Sequence, residues 1–103
     1  MVEMEFGNRK MMDRPAKRGE FVSRRIAGEA IVVPIRGQMA DLEAIYNMNE
    51  TAAFIWERID GRSSVSEIAQ AVAEEFEVSP EEAGADAVEF LRMLQEVRLV
   101  ETG

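Results

Sequence analysis

One amphipathic stripe constrains this chain more than any other feature. Between Tyr46 and Gly61, Ala52, Ile55, Trp56 and Ile59 fall at i, i+3, i+4 and i+7, which places them on one face of an α-helix. Asn49 stands just ahead, where its side-chain oxygen can accept an orphan backbone N–H. Gly61 comes after the last apolar residue, the position at which a left-handed C′ residue costs glycine least. Trp56 is the only tryptophan in the chain and lies mid-stripe, so this face must be covered. The chain before the stripe reads as tail or strand, and the chain after it reads as helix.

Residues 1–19 are polar, basic and without periodicity, and are expected to form a flexible arm, with the domain proper over residues 20–103. Such an arm is either a solvated tail or a docking segment for an acidic partner. Phe21–Ile26 reads as a strand, Ala27-Gly28-Glu29 as a turn, and the β-branched run Ala30–Ile35 as a second strand. Pro34 cannot donate to a ladder, so its end of the strand belongs at an edge or terminus. Arg36-Gly37-Gln38 is a second turn. Leu42, Ala44, Tyr46 and Met48 then alternate with Asp41, Glu43, Ile45 and Asn47, the pattern of a third strand with one buried face.

Two further helices complete the chain. Ser64 and Glu67 have the spacing of a capping box ahead of Ile68, Ala71, Val72 and Phe76. Glu74, Glu75 and Glu77 make the exit of this helix acidic, against its dipole. Ser79 at the N-cap, Pro80 at N1, and Glu81 and Glu82 in the first turn announce the third helix. Ala83, Ala87, Phe90, Leu91, Leu94 and Val97 form its core stripe, flanked by Val88, Arg92 and Gln95. Leu99-Val100-Glu101 reads as a short terminal strand or extension. A three-stranded antiparallel meander followed by three helices is an α+β fold. The short Glu77-Val78 link suits a helix-turn-helix pair.

Composition removes whole classes of chemistry. The chain has no cysteine and no histidine. Disulfides, thiolate metal sites and nucleophile pairs that need either residue are therefore excluded within it. No glycine-rich phosphate loop occurs. Neighbouring carboxylates such as Glu74-Glu75 or Glu81-Glu82 lie about 100° apart on a helix and do not converge on one substrate. Arg24 and Arg25, adjacent on a strand, point to opposite faces and make a poor phosphate clamp. The expectation is a protein without catalysis, cofactor or metal. The longest apolar run, Ala30 to Ile35, is six residues, too short for a membrane span, and no signal-peptide core is present. A cytoplasmic location is expected.

Charge is unevenly placed. Residues 1–36 carry +3 and residues 37–103 carry −11, for a net −8. An acidic helical half opposes binding to a polyanion, which weakens the reading of a winged-helix DNA-binding regulator.

The ordered set Met48-Asn49-Glu50-Thr51-Ala52, Ile55-Trp56, Asp60-Gly61, Val65 and Glu67-Ile68 resembles the PqqD family of pyrroloquinoline quinone synthesis proteins. The broader group is the leader-peptide recognition domains of ribosomally made, modified peptides. The resemblance spans about residues 20–101, with Met48 where the family more often has leucine. It implies a winged-helix-like domain that acts as a peptide chaperone. A precursor's leader peptide would add to the third strand and lie against the third helix, and the complex would be presented to a modifying enzyme, a radical S-adenosylmethionine protein in quinone biosynthesis. Carried onto this chain, the strand is Asp41, Glu43, Ala44, Ile45, Tyr46 and Asn47, and the groove wall is Val88, Leu91, Arg92 and Gln95. Leu91 also reads simply as core. Arg92 would pair with a leader carboxylate, and Asp41 and Glu43 would favour a basic leader. Neither nucleic acid nor membrane is among the implied partners. A second copy of the chain could cap the same strand edge as a homodimer.

Overall fold

A computed structural model describes residues 11–41 and 44–102. Along the chain run β1 (Pro15–Lys17), β2 (Glu20–Ile26), β3 (Glu29–Arg36), β4 (Met39–Ala40), β5 (Tyr46–Met48), α1 (Glu50–Glu57), α2 (Val65–Phe76), α3 (Pro80–Glu96) and β6 (Val100–Thr102). The order is that of an α+β, winged-helix-like domain, five strands first, three helices after, and a short closing strand.

The β2–β3 hairpin turns on Ala27 and Gly28, whose φ values of 52° and 86° are both positive. That is the signature of a tight two-residue turn matched to strand twist. Glycine is needed there twice over, because a Cβ at position 28 would lie 2.9 Å from a Glu50 side-chain oxygen. β3 is the central strand. It pairs with β2 on one side, and with both β4 and β5 on the other, all antiparallel.

The expected third strand is therefore split. Ile35 faces Ala40, but Val32 faces Tyr46. β3 steps back three residues while its partner advances six, so three extra residues are pushed out between Ala40 and Tyr46. Of the residues expected in one continuous strand, only Tyr46, Asn47 and Met48 lie within β5. Asp41, Ala44 and Ile45 belong to the bulged segment, and Leu42 and Glu43 lie outside the described residues.

Every expected helix start is present. Asn49 Oδ1 accepts from the Ala52 N–H at 2.9 Å. The Ser64–Glu67 capping box has both bonds, Glu67 N–H to Ser64 Oγ at 3.1 Å and Ser64 N–H to Glu67 Oε1 at 2.8 Å. Ser79 Oγ accepts from the Glu82 N–H at 3.1 Å. Gly61 differs from expectation. It is left-handed, at φ 78°, yet it stands beyond the end of α1, and its N–H donates to the Pro15 carbonyl at 2.8 Å.

That bond belongs to a larger correction. Of the segment expected as a flexible arm, residues 1–10 lie outside the described residues, and the described part from Asp13 to Arg18 is tied into the domain. Pro15 is fully buried, and β1 pairs with β6 from Pro15↔Thr102 to Lys17↔Val100. Val65 N–H donates to the Asp13 carbonyl at 2.9 Å, and Arg18 N–H to the Leu99 carbonyl at 2.8 Å. Lys17 Nζ donates to the Ile59 carbonyl at 3.1 Å and sits 4.9 Å over the Trp56 ring. A polar, aperiodic sequence is held by backbone bonds to distant partners, which leave no periodic trace.

The core lies between the sheet and the helices. Ala30, Val32 and Met48 enter it from the sheet and Ile55 and Trp56 from α1. Ile68 and Val72 of α2, Ala87 and Leu94 of α3, and Val100 of β6 close it. Phe21 packs edge-on to Trp56 at 5.1 Å between centroids, and Phe54 edge-on to Phe76 at 5.3 Å.

Candidate functional site

Backbone geometry decides which groups the third-strand edge offers. Asp41 N–H donates to the Pro34 carbonyl, so Pro34 turns its backbone toward the third strand. In an antiparallel ladder the two groups of a residue point the same way and alternate along the strand. Ala30 and Val32 therefore bond to Met48 and Tyr46. Asn47, between those two, turns its N–H and C=O outward. Among the described residues nothing hydrogen-bonds them.

Beside this edge lies a groove of about 520 Å³. Asn49, directly after β5, lines it together with Thr51, Ala52 and Ile55 of α1. The opposite wall is α3: Asp86, Glu89, Phe90, Arg92, Met93 and Glu96. Ala52, Ile55, Phe90 and Met93 give it apolar surface, and Met93 is exposed. Three carboxylates face one guanidinium, so the groove is acidic. Its chemistry is that of a recognition surface with apolar contacts and a preference for cations. Among the described residues no group of histidine, cysteine, aspartate or glutamate could hold a metal ion.

The expected site residues divide. Ile45 and Asn47 are exposed, and Tyr46 is half-buried against the core. Asp41 and Ala44 are half-buried, and Asp41 takes an ion pair from Arg36 at 3.1 Å. Arg92 lines the groove. Val88, Leu91 and Gln95 do not; they line a small recess of about 30 Å³ with Asp13, Val65 and Thr102, and Arg92 reaches that recess too. Leu91 is a core residue. Thr102 ends β6 and Asp13 precedes β1, so the β1–β6 ribbon borders this recess. Sequence reasoning counts Phe90 with the core stripe and gives Asp86, Glu89, Met93 and Glu96 no place in the site, although all five recur at three- and four-residue spacing beside Ala83, Ala87, Leu91 and Leu94; Phe90 packs against the core and also lines the groove.

Two titratable groups elsewhere are shifted. Burial pushes the Lys17 pKa below the ordinary lysine value, against the opposing pull of Asp60 and Glu57. Backbone N–H groups of Ser63 and Arg62, each 2.8 Å from Asp60 Oδ1, hold the Asp60 carboxyl below the usual range. Neither lines the groove: Asp60 braces the Asp60–Ser64 connection, and Lys17 ties β1 to Ile59 and Trp56 at the end of α1.

The fold and this edge-and-groove arrangement define a small α+β domain built to present a strand edge beside a helix. Residues 29–100 match the family model described as coenzyme PQQ synthesis protein D, and the chain belongs to that PqqD family. The "PqqA binding protein" of three strains of Xanthomonas oryzae pv. oryzae is 34% identical over 58 residues, covering 56% of this chain and 63% of that protein. The chain thus spans less than two thirds of that relative's length. Among solved structures, TbiB1 in complex with the TbiA(beta) leader peptide aligns with a TM-score of 0.69 at 21% identity, covering 84% of this chain and 94% of that one. Lasso peptide synthetase B1 complexed with the leader peptide aligns at 0.68 and 20% identity, covering 85% and 98%. The PqqD truncation of Methylobacterium extorquens PqqCD, a stand-alone RiPP recognition element, aligns at 0.65 and 21%, covering 84% and 87%. At these identities the structures establish the shared fold.

Proposed function

We propose that this protein is a non-catalytic peptide adaptor of the cytoplasm. It binds the leader of a ribosomally synthesised precursor by strand addition and presents the precursor to a modifying enzyme, of the radical S-adenosylmethionine type if the pathway is quinone biosynthesis. The observation that carries this reading is the outward-turned backbone of Asn47 beside the α1–α3 groove, in a chain of the PqqD family. A leader strand laid along β5 gains main-chain hydrogen bonds, while alternate side chains enter the groove. Ala52, Ile55, Phe90 and Met93 take apolar side chains, and Asp86, Glu89 and Glu96 favour a basic residue there. Binding raises the effective concentration of the attached core peptide at the enzyme and requires no chemistry of the adaptor. Membership of the same family as a protein named for PqqA binding supports the reading. For DNA the α3 surface has the wrong sign, with Glu81, Glu82, Asp86, Glu89 and Glu96 against Arg92 and Arg98.

The test is a heteronuclear NMR titration with leader peptides encoded beside the gene. Shifts are expected at Ile45–Asn47 and at Phe90 and Met93. Ile45→Pro removes a donor from the bulged edge without removing any β3–β5 pair, so it is expected to abolish binding and keep the fold. A folded Ile45→Pro protein with unchanged affinity would rule out strand addition through this segment.

A further inference from the structure

The sheet has two edges, and the proposed leader site uses only one. β2 forms the other and runs seven residues without interruption, against three in β5. The Asp41–Pro34 bond fixes its orientation as well. Ile31, Val33 and Ile35 turn their backbones to β2, where they face Arg24, Val22 and Glu20. Phe21, Ser23 and Arg25 therefore turn their N–H and C=O groups away from the sheet, and among the described residues nothing hydrogen-bonds these groups. The same three side chains line a groove of about 330 Å³, together with Lys17, Trp56 and Glu57. Phe21 against Trp56 gives it an apolar wall.

Charge separates this groove from the one on α3. Lys17 and Arg25 line it against the single carboxylate of Glu57, and Arg24 borders it with its side chain on the opposite face of β2. Arg25 is paired with Glu57, and Arg24 makes no ion pair among the described residues. We propose that the β2 edge and this groove form a second docking site, which accepts an extended acidic segment of a partner protein by strand addition. Main-chain bonds form to Phe21, Ser23 and Arg25, an apolar side chain rests on half-buried Phe21, and carboxylates on the other face of the added strand meet Arg24. A second copy of this chain suits the edge poorly, because antiparallel pairing of β2 with itself gathers four arginines into one short ladder. Lying across β3 from the third strand, the site leaves the leader edge free, so both segments can be held at once.

The probe is a synthetic capped peptide of alternating glutamate and valine, with its lysine–valine counterpart as control, titrated into the isotope-labelled full chain. The acidic peptide is expected to shift the Phe21, Ser23 and Arg25 amides and slow their exchange, to leave Asn47 and Met93 unmoved, and to weaken as salt is raised. Arg24→Glu is expected to reduce its affinity about tenfold. Ser23→Pro removes an outward N–H that no β3 residue uses, and is expected to abolish binding while Trp56 fluorescence stays as in the parent. If Ser23→Pro fails to fold, Arg24→Glu carries the test, since that side chain is exposed. Equal response to both probes, shifts confined to Asn47 and α3, or no shift at millimolar peptide overturns the proposal. Failure of the leader site would register separately, at Ile45–Asn47 and Met93 with the leader peptide.

Discussion

Asp41 donates its N–H to the Pro34 carbonyl at 2.8 Å, and Pro34 has no N–H to return. A bonded antiparallel pair normally exchanges two hydrogen bonds. Here the Asp41 carbonyl accepts instead from Ala44 N–H at 3.1 Å, which curls the chain out of the ladder. The three-residue bulge begins at this point, and β5 resumes at Tyr46 opposite Val32. A single missing donor on the central strand thus splits the strand that bears the proposed leader site.

Pro34→Ala restores that donor. The new amide at position 34 competes with Ala44 for the Asp41 carbonyl. Hydrogen exchange is expected to show protection at position 34 and reduced protection at Ala44. Loss of the buried ring and of its restraint on the unfolded chain lowers stability by about 1 kcal/mol, read from urea unfolding.

The Ser64–Glu67 box joins α2 to the connection from α1. Ser64→Ala is expected to cost about 1 kcal/mol. Glu67→Ala is expected to cost less, because it removes one reciprocal bond at a partly exposed site. The double variant is expected to lose less than the sum of the two, since either change breaks the same box. Strict additivity in urea unfolding would show that the two bonds act independently.

Asp60 makes stability depend on acid. Its folded carboxyl titrates below its ordinary value of 3.8 because Ser63 and Arg62 N–H groups favour the charged form. Its contribution is present in full above the unfolded value and is lost as pH falls through the folded one. Asp60→Asn is therefore expected to be less stable than the parent at neutral pH. The gap should hold down to the ordinary carboxylate range and close below it, as monitored by thermal unfolding against pH.

Arg92 and Arg98 separate a site effect from a general charge effect. Arg92 lines the groove, and Arg98 lies beyond α3 in a left-handed turn at φ 64°. Arg92→Glu is expected to weaken leader binding several-fold, and Arg98→Glu hardly at all, since a rim charge outside the contact acts weakly. Equal effects in a titration would remove Arg92 from the site.

Much of the fold was legible because its signals are local. Asn49, Ser64 and Ser79 each cap a backbone N–H three residues ahead, and Ala27-Gly28 closes a two-residue turn. These choices depend on neighbours within one turn of chain, so residue order suffices. The stripes of Ile55 and Trp56, Ile68 and Val72, and Ala87 and Leu94 likewise named the core faces before any packing was known.

What residue order alone determined was therefore the β2–β3 hairpin ahead of three helices, the helix starts, the main core faces, and the acidic helical half set against a basic beginning. Tertiary structure decided which surfaces remain open. Val88, Leu91 and Gln95, expected in the groove wall, lie instead beside Thr102 of the β1–β6 ribbon, in a small recess, while Asp86, Phe90 and Met93 line the groove. The β1–β6 pairing joins segments at opposite ends of the chain through backbone groups that every residue carries. Side-chain pattern cannot announce such a bond, and the exposed face of a helix depends on whatever distant strand comes to lie against it.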